Sequence, residues 1–133
     1  LEGREIQVYG DGSQVRDFVY VDDAADAFLR AGASDACNGE VFNVGGDEPI
    51  AHRDLVRLLI EEAGRGSVRF IPWPDDQRRI DIGSFYSDSS KFSAATGWRP
   101  AVNLREGFRR TFAYYRQYFD RYVDDPAHAP QPA

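Results

Sequence analysis

Short runs of apolar residues predict four strands in this chain of 133 residues. The runs cover residues 6–9, 18–21, 41–44 and 67–71. Between them, apolar side chains recur at helical spacing, which predicts helices near residues 22–33, 52–63, 89–96 and 103–118. Strands that alternate with helices indicate an α/β fold, with a small sheet and flanking helices.

The third predicted strand, Val41–Val44, is apolar in both alternating phases. A strand of this kind usually lies in a parallel sheet with both faces covered. Asn43 is the polar exception, and a buried amide needs hydrogen-bond partners. Two interpretations stay open: either Asn43 ties down the Gly45–Gly46 loop that follows, or it lies beside a bound ligand.

The predicted helices have one apolar face each. In the first helix that face combines Val21, Ala24, Ala25, Phe28, Leu29 and Gly32, and in the last it combines Leu104, Phe108, Phe112, Tyr115 and Phe119. We expect both faces in the core, with Arg105, Arg109 and Arg116 turned away. Side-chain caps are predicted at Asp22 or Asp23, at Asp88, and at Asn103 with Glu106 as a capping box.

Composition narrows the possible functions. The net charge is −6 and the pI is about 4.8, which argues against nucleic acid and against an anionic membrane surface as partners. The single cysteine, Cys37, allows no internal disulfide and implies no compartment, so a cytoplasmic protein is the default expectation. Residues 123–133 have the composition of a disordered tail. Because the chain begins with Leu1, we expect a piece of a longer protein or a processed product.

Candidate chemistry begins at Arg16. This arginine follows the turn-forming stretch Gly10–Gly12 and precedes the predicted strand-to-helix junction. A fixed guanidinium in such a place suits a phosphate or a carboxylate ligand. The alternative is a surface ion pair between Arg16 and Asp17, which would contribute little.

Two runs of sequence resemble one known family. The first is Tyr9–Gly12, then Gln14, then Arg-Asp-Phe-Val-Tyr-Val-Asp-Asp over residues 16–23. The second is Arg-x-x-Asp at residues 78–81, followed by Asp-x-Ser-Lys at 88–91 and Gly-Trp-x-Pro at 97–100. Together they resemble the extended short-chain dehydrogenases/reductases, namely the NAD-dependent nucleotide-sugar epimerases and dehydratases such as UDP-glucose 4-epimerase. The resemblance covers residues 3–118.

The resemblance implies that residues 1–122 are the substrate-binding carboxy-terminal lobe of such an enzyme. The matching positions imply a substrate site made of Val8, Tyr9, Arg16, Asn43, Arg78 and Asp81. The two arginines would grip the nucleotide diphosphate, and Asp81 would help to hold the nucleotide. Phe85 stands where some epimerases have tyrosine. The strand at 41–44 would join the Rossmann sheet of the missing amino-terminal half, in a parent enzyme that is a homodimer.

Family chemistry needs two motifs that we do not find in the sequence. Gly10–Gly12 does not continue into a dinucleotide-binding glycine motif, and Ser87 stands four residues before Lys91 where the catalytic pair would need tyrosine. We also find no metal-ligand set. The resemblance therefore implies that NAD is bound by the missing half and that this chain alone is inactive.

Three functions follow as hypotheses. The first is the nucleotide-sugar-binding portion of an epimerase that inverts C4 of a UDP-sugar through a transient keto-sugar. The second is the same portion of a dTDP-sugar 4,6-dehydratase or of another dehydratase or reductase of the family. The third belongs to another class: a non-catalytic module that binds a nucleotide or a protein.

Overall fold

The computed structural model describes residues 2–122 and shows a mixed α/β architecture. The strands are β1 Glu5–Tyr9, β2 Val15–Arg16, β3 Ile50–Ala51 and β4 Ser67–Ile71. The helices are α1 Val21–Ala33, α2 His52–Ala63, α3 Asp75–Ile80, α4 Ser90–Thr96, α5 Leu104–Gln117 and α6 Phe119–Tyr122, with a 3₁₀ turn at Asp35–Cys37.

Two small sheets organise the chain. Strands β1 and β4 run parallel in a five-residue register from Glu5↔Ser67 to Tyr9↔Ile71. Strands β2 and β3 form an antiparallel ladder, Val15↔Ala51 and Arg16↔Ile50. A parallel pair needs a long crossover connection, and here α1 and α2 both lie between β1 and β4 in the chain.

Most of the predicted elements are confirmed, with bounds that shift by one or two residues. The strand predicted at 18–21 is wrong, because the ladder lies earlier, at Val15–Arg16, and α1 already begins at Val21. Strand β3 and helices α3 and α6 were not predicted. Each is a short element without a full period of apolar spacing.

The strand predicted at Val41–Val44 is also wrong, since this segment pairs with no strand. Phe42 and Val44 pack against the core, whereas Val41 is 83% exposed and Asn43 is exposed. Within residues 2–122, its backbone makes one hydrogen bond, from Lys91 Nζ to the Val41 carbonyl at 3.0 Å. The segment therefore has an apolar inner side and an unpaired edge.

The core is small and centres on Trp98. Its side chain is 1% exposed and packs with Phe92 at a ring-centroid distance of 5.6 Å. Ala27 of α1 completes the buried cluster, and Phe42 lies edge-on to Phe92 at 5.4 Å. The motif residues Gly-Trp-x-Pro thus contribute the largest core side chain.

Helix α1 is oriented by its buried carboxylate. Asp23 is 6% exposed; its backbone carbonyl accepts a hydrogen bond from Trp98 Nε1 at 3.1 Å, and its Oδ2 accepts one from Val102 N at 2.9 Å. Asp23 therefore is not a helix cap, and neither is Asp22, since Tyr20 is the N-cap residue and no side chain caps this end. The predicted cap is wrong.

The same orientation turns much of the predicted apolar face outward. Val21, Phe28 and Leu29 are exposed, the last two by 81% and 73%, and so is Ala25. The prediction that this face lies in the core is wrong, because Asp23 and Ala27 take the inner side. We call Val21, Ala25, Phe28, Leu29 and Gly32 the outer stripe of α1.

For helix α5, the predicted cap is correct, but the predicted orientation of two of its arginines is wrong. Asn103 Oδ1 accepts the Glu106 amide at 2.9 Å, which confirms the cap. Arg105 and Arg109, predicted to face away, instead bond the Glu62 carboxylate of α2, whose side chain is 8% exposed. The cap predicted at Asp88 is wrong, since Ser89 is the N-cap residue of α4 and no side chain caps this end. Asp88, one residue earlier, accepts the Ser90 amide through Oδ1 at 2.8 Å, and this hydrogen bond lowers the pKa of Asp88.

Residues 123–133, predicted as a disordered tail, lie outside the described residues. Across residues 2–122, no helix combines the length and apolar character that crossing a bilayer requires.

Two phenylalanines test where the core lies. Phe92→Ala should lower the free energy of unfolding by about 3–5 kcal/mol, because it opens a cavity against Trp98. Phe28→Ala, the same change at an exposed site, should shift it by less than about 0.5 kcal/mol. Urea unfolding of the full chain measures both. Equal losses would contradict the assignment of the outer stripe as exposed.

Candidate functional site

Arg16 sits at the end of β2 with its guanidinium partly anchored. Nη1 donates to the Val15 carbonyl at 2.8 Å and to the Gly83 carbonyl. Nη2 lies 3.8 Å from Asp81 Oδ1, an ion pair beyond hydrogen-bond distance. Within residues 2–122, Nε and Nη2 donate no hydrogen bond. The arrangement leaves one side of the guanidinium fork available to an anion.

The loop that carries Asp81 is fastened to β2 by its backbone. The Val15 amide donates to Ser84 Oγ at 3.1 Å, and the Phe85 amide donates to the Val15 carbonyl at 3.0 Å. Asp81 Oδ2 also accepts the Gly83 amide at 3.2 Å. Arg16 and Asp81, which are far apart in sequence, are thus held close together, and their part in binding stays a prediction.

Asp17 has a structural role that the local sequence does not reveal. Its Oδ2 accepts the Ser87 amide at 3.0 Å, so Asp17 does not pair with Arg16 and the surface-pair alternative is wrong. A Cβ added at Gly45 would stand 1.9 Å from the same oxygen, and one at Gly46 would stand 2.0 Å from the Phe18 carbonyl. Residues 45 and 46 must be glycines because the β2–α1 connection passes too close to them to leave room for a side chain.

His52, interpreted from sequence as a surface residue, is a member of this site. It begins α2 half-buried, and its amide donates to the Gln14 carbonyl at 3.0 Å. Burial and then the Arg16 guanidinium lower the pKa of His52 below its ordinary 6.5, while Asp81 opposes the shift. The imidazole is therefore neutral at pH 7. No local pattern marks it, because only the β2–β3 ladder brings it to Arg16.

Arg78 stands in the last turn of α3, three residues before Asp81. It is exposed, and its guanidinium makes no hydrogen bond or ion pair to any residue between 2 and 122. The structure records no contact between Arg78 and Arg16. Arg78 is therefore a second cation, on the segment that leads to Asp81. Its part in binding stays a prediction.

The other predicted site residues divide into two groups. Val8 and Tyr9 end β1 beside β4. Val8 is buried, and the Tyr9 ring lies tilted against Trp73 with 5.3 Å between the ring centroids. Asn43 is exposed and makes no hydrogen bond to the described residues, so it does not tie down Gly45, whose amide donates to Ser89 Oγ at 3.0 Å. The structure brings Arg16 and Asp81 together but does not bring Asn43 to them.

The described residues do not fit NAD. The sequence offers the turn at Gly10–Gly12 as a candidate phosphate cradle, and other residues pack closely against both glycines. A Cβ at Gly10 would stand 2.4 Å from Trp73 Nε1, and the Gly12 carbonyl accepts the Arg53 amide. The turn is closed against Trp73 and the start of α2, so it does not offer its amides to a pyrophosphate.

Lys91, the one lysine in the sequence, is paired with another carboxylate and an aromatic ring. Lys91 Nζ donates to Glu40 Oε2 at 2.8 Å and lies 4.8 Å from the centre of the Phe42 ring. These contacts hold the start of the unpaired segment Val41–Val44 against the core. Residues 2–122 hold no cluster of potential metal ligands either. The open side of the Arg16 guanidinium is the feature of this site that suits an anion.

The sequence of this chain is similar to those of several known proteins. The model of the NAD dependent epimerase/dehydratase family matches residues 1–45. UDP-glucose 4-epimerase of Mycolicibacterium smegmatis is 36% identical over 116 residues, which cover 87% of this chain and 36% of the relative. dTDP-glucose 4,6-dehydratase of Streptomyces griseus is 32% identical over 120 residues, which cover 89% and 35%.

Over most of its own length, this chain is similar in sequence to NAD-dependent epimerases and dehydratases. Its fold agrees: the solved structure of UDP-glucose 4-epimerase from Thermotoga maritima, with UDP-glucose, superposes with a TM-score of 0.74 at 35% identity. That match covers 88% of this chain and 36% of the epimerase. The predicted resemblance to this family is confirmed. The chain spans about a third of the length of the relatives it matches.

The lowered pKa of His52 predicts how stability depends on pH. In the unfolded chain His52 binds a proton near pH 6.5, whereas in the folded chain it binds the proton only at a lower pH. The free energy of unfolding therefore rises with pH in this range. This contribution to stability is therefore lost as the pH falls through the ordinary histidine pKa of 6.5. His52→Gln should flatten this slope.

Urea unfolding at several pH values measures it. The comparison belongs in a His128→Gln background, so that His52 is the only histidine left. An unchanged slope after His52→Gln would contradict the lowered pKa of His52 in the folded chain.

Proposed function

We propose that this chain is the nucleotide-sugar-binding portion of an NAD-dependent epimerase that interconverts UDP-sugars at C4 through a transient keto-sugar. The observation that carries the proposal is the Arg16 guanidinium, which is anchored through Nη1 and open at Nε and Nη2. A diphosphate spreads its charge over several oxygens, and a fixed fork matches that geometry. The relatives named above give the ligand class.

Arg78 and Asp81 complete the proposed diphosphate site. Arg78 has no competing carboxylate partner in the described chain, so a bound phosphate would give it one. Asp81 keeps Arg16 in place at 3.8 Å without using its hydrogen-bond donors. The neutral imidazole of His52 adds no charge at pH 7 and leaves a donor or acceptor for the same ligand.

A dehydratase is the second candidate. It is favoured by the dTDP-glucose 4,6-dehydratase of Streptomyces griseus, which this chain matches nearly as well as the epimerase. The residues that separate the two activities belong, in this proposal, to the part of the enzyme that also holds NAD. That part supplies the hydride acceptor, and this chain supplies substrate binding and orientation. We place the parent enzyme in the cytoplasm, as a homodimer.

We also propose where the NAD-binding half packs. The outer stripe of α1 leaves Phe28 81% and Leu29 73% exposed, and Val41 is 83% exposed at the unpaired segment Val41–Val44. An unpaired extended segment is a template for another strand, and exposed apolar surface marks an interaction site. One partner with a strand edge and an apolar face would cover both.

The two arginines test the diphosphate site. Arg16→Ala or Arg78→Ala should each weaken nucleoside diphosphate binding by roughly 10- to 100-fold, since a charge-assisted hydrogen bond is worth about 1.5–3 kcal/mol. Calorimetric titration measures this. Arg57→Ala, which removes an exposed arginine of α2 paired with Asp54, is the matched control and should bind as the unchanged chain does. Unchanged affinity in both site variants would overturn the proposal.

Because the proposal assigns NAD binding to another part of the enzyme, it predicts that this chain alone is inactive. The 133-residue chain should neither bind NAD tightly nor turn over a UDP-sugar, because it lacks a dinucleotide cradle. Fluorescence titration with NADH and product analysis with UDP-sugars measure the two properties. Turnover without a partner would show that catalytic residues exist in this chain. Nucleotide binding with no gain of activity after addition of the NAD-binding half would favour the non-catalytic module.

A further inference from the structure

Four tyrosine rings gather at the carboxyl end of α5 and on α6. The Tyr114 ring contacts those of Tyr115, Tyr118 and Tyr122, with centroid distances of 5.6, 4.8 and 5.9 Å. The rings of Tyr115 and Tyr122 also lie 5.2 Å apart, and the hydroxyl groups of Tyr114 and Tyr122 share a hydrogen bond of 2.8 Å. The four side chains therefore form one aromatic cluster.

This cluster lies outside the core. Tyr114 and Tyr122 are 46% and 56% exposed, and Tyr118 is half-buried. Tyr115, which helical spacing predicted to lie in the core, is 40% exposed, so that prediction is wrong. Core packing does not account for rings in such a position, and exposed aromatic surface of this kind marks an interaction site.

Two arginines belong to the same surface. The Arg121 guanidinium lies over the Tyr118 ring at 5.1 Å, and that of Arg116, in the last turn of α5, lies over Phe112 at 5.9 Å. Most arginines of the described chain pair with a carboxylate. Arg116 and Arg121 make no ion pair or hydrogen bond with any residue between 2 and 122. We call Tyr114, Tyr115, Tyr118 and Tyr122, with Arg116 and Arg121, the tyrosine patch.

The helix dipole alone does not explain the tyrosine patch. A cation in the last turn of a helix is stabilised by the dipole, which accounts for Arg116 but not for the exposed rings beside it. Tyrosine and arginine are the residue types that dominate binding energy at protein interfaces. Their combination therefore favours a protein partner.

The charge of the patch indicates the chemistry of that partner. The chain has a net charge of −6, whereas the patch carries two guanidinium groups without a carboxylate partner among residues 2–122. The hydroxyl groups of Tyr115 and Tyr118 also make no hydrogen bond to these residues. The patch thus offers N–H and O–H donors to carboxylates. Because the acidic remainder of the chain repels an anionic partner, attraction is confined to this place.

We propose that the tyrosine patch is a docking surface for an acidic segment of a partner protein. The carboxylates of that segment bind Arg116 and Arg121, and its proline or apolar side chains pack on the tyrosine rings, as in other aromatic-lined peptide sites. This function goes beyond nucleotide-sugar binding and does not depend on it.

A labelled peptide tests the proposal on the full chain. Fluorescence anisotropy measures the binding of a short peptide of Glu-Glu-Pro repeats, with a peptide of Gln-Gln-Pro repeats as the neutral control. The neutral peptide should bind roughly 3- to 30-fold more weakly, because it loses the pairs with two exposed arginines. Raising the salt from about 0.01 to 0.15 M should weaken only the acidic peptide, since the screening length falls from roughly 30 to 8 Å.

Substitutions locate the binding surface. Arg116→Gln combined with Arg121→Gln should weaken the acidic peptide by roughly 3- to 30-fold. Tyr115→Ala should weaken it by about fivefold or more. Arg30→Gln combined with Arg99→Gln is the matched control, because it removes the same charge from two exposed arginines outside the patch, and its affinity should stay unchanged. Circular dichroism checks that each variant is folded.

Three results would overturn the docking surface. The first is failure of the acidic peptide to bind the full chain. The second is equal affinity in the patch variant and in the matched control. The third is self-association of the chain, seen by sedimentation and abolished by Tyr115→Ala, which would assign the patch to a second copy of the chain. Binding by the acidic peptide that only the patch variants weaken would support the proposal.

Discussion

The buried carboxylate of Asp23 is the constraint on which the arrangement of helices depends. Its oxygen accepts the Val102 amide and its backbone carbonyl accepts the Trp98 indole N–H, across 79 and 75 residues of chain. Leaving a buried carboxylate without partners costs far more than a surface contact returns. Helix α1 therefore turns Asp23 inward, and its larger apolar side chains, Phe28 and Leu29, turn outward.

This orientation of α1 leaves apolar surface uncovered. Five hydrophobic side chains among the described residues are buried, while α1 and Val41–Val44 leave apolar surface and backbone edge uncovered. The polar contacts that cross the chain, Asp17 to Ser87 and Val15 to Ser84, still fix the loop that carries Asp81. The proposed binding site is thus held by hydrogen bonds and depends little on the small hydrophobic core.

Helical periodicity was enough to predict α1, α2, α4 and α5, because a 3.6-residue repeat is a local property. The same repeat could not tell which α1 face enters the core, since burial of Asp23 depends on Val102 and Trp98. The apolar run Val41–Val44 shows burial but does not supply a pairing partner. The sequence marked Arg16 and Asp81 as candidates for the proposed site, whereas His52 is brought near Arg16 by the β2–β3 ladder, which no local pattern shows.

Anchoring one nitrogen of Arg16 has a consequence for binding. A free arginine loses side-chain entropy when it grips a ligand, but here Nη1 is already held by the Val15 and Gly83 carbonyls. Asp81 at 3.8 Å keeps the guanidinium paired without occupying its donors. Since Nε and Nη2 stay aimed in one direction before any ligand arrives, the orientation needed for a diphosphate is set by folding. Arg78, which has no such anchor, would lose its freedom only on binding, so the two arginines contribute to affinity through different terms.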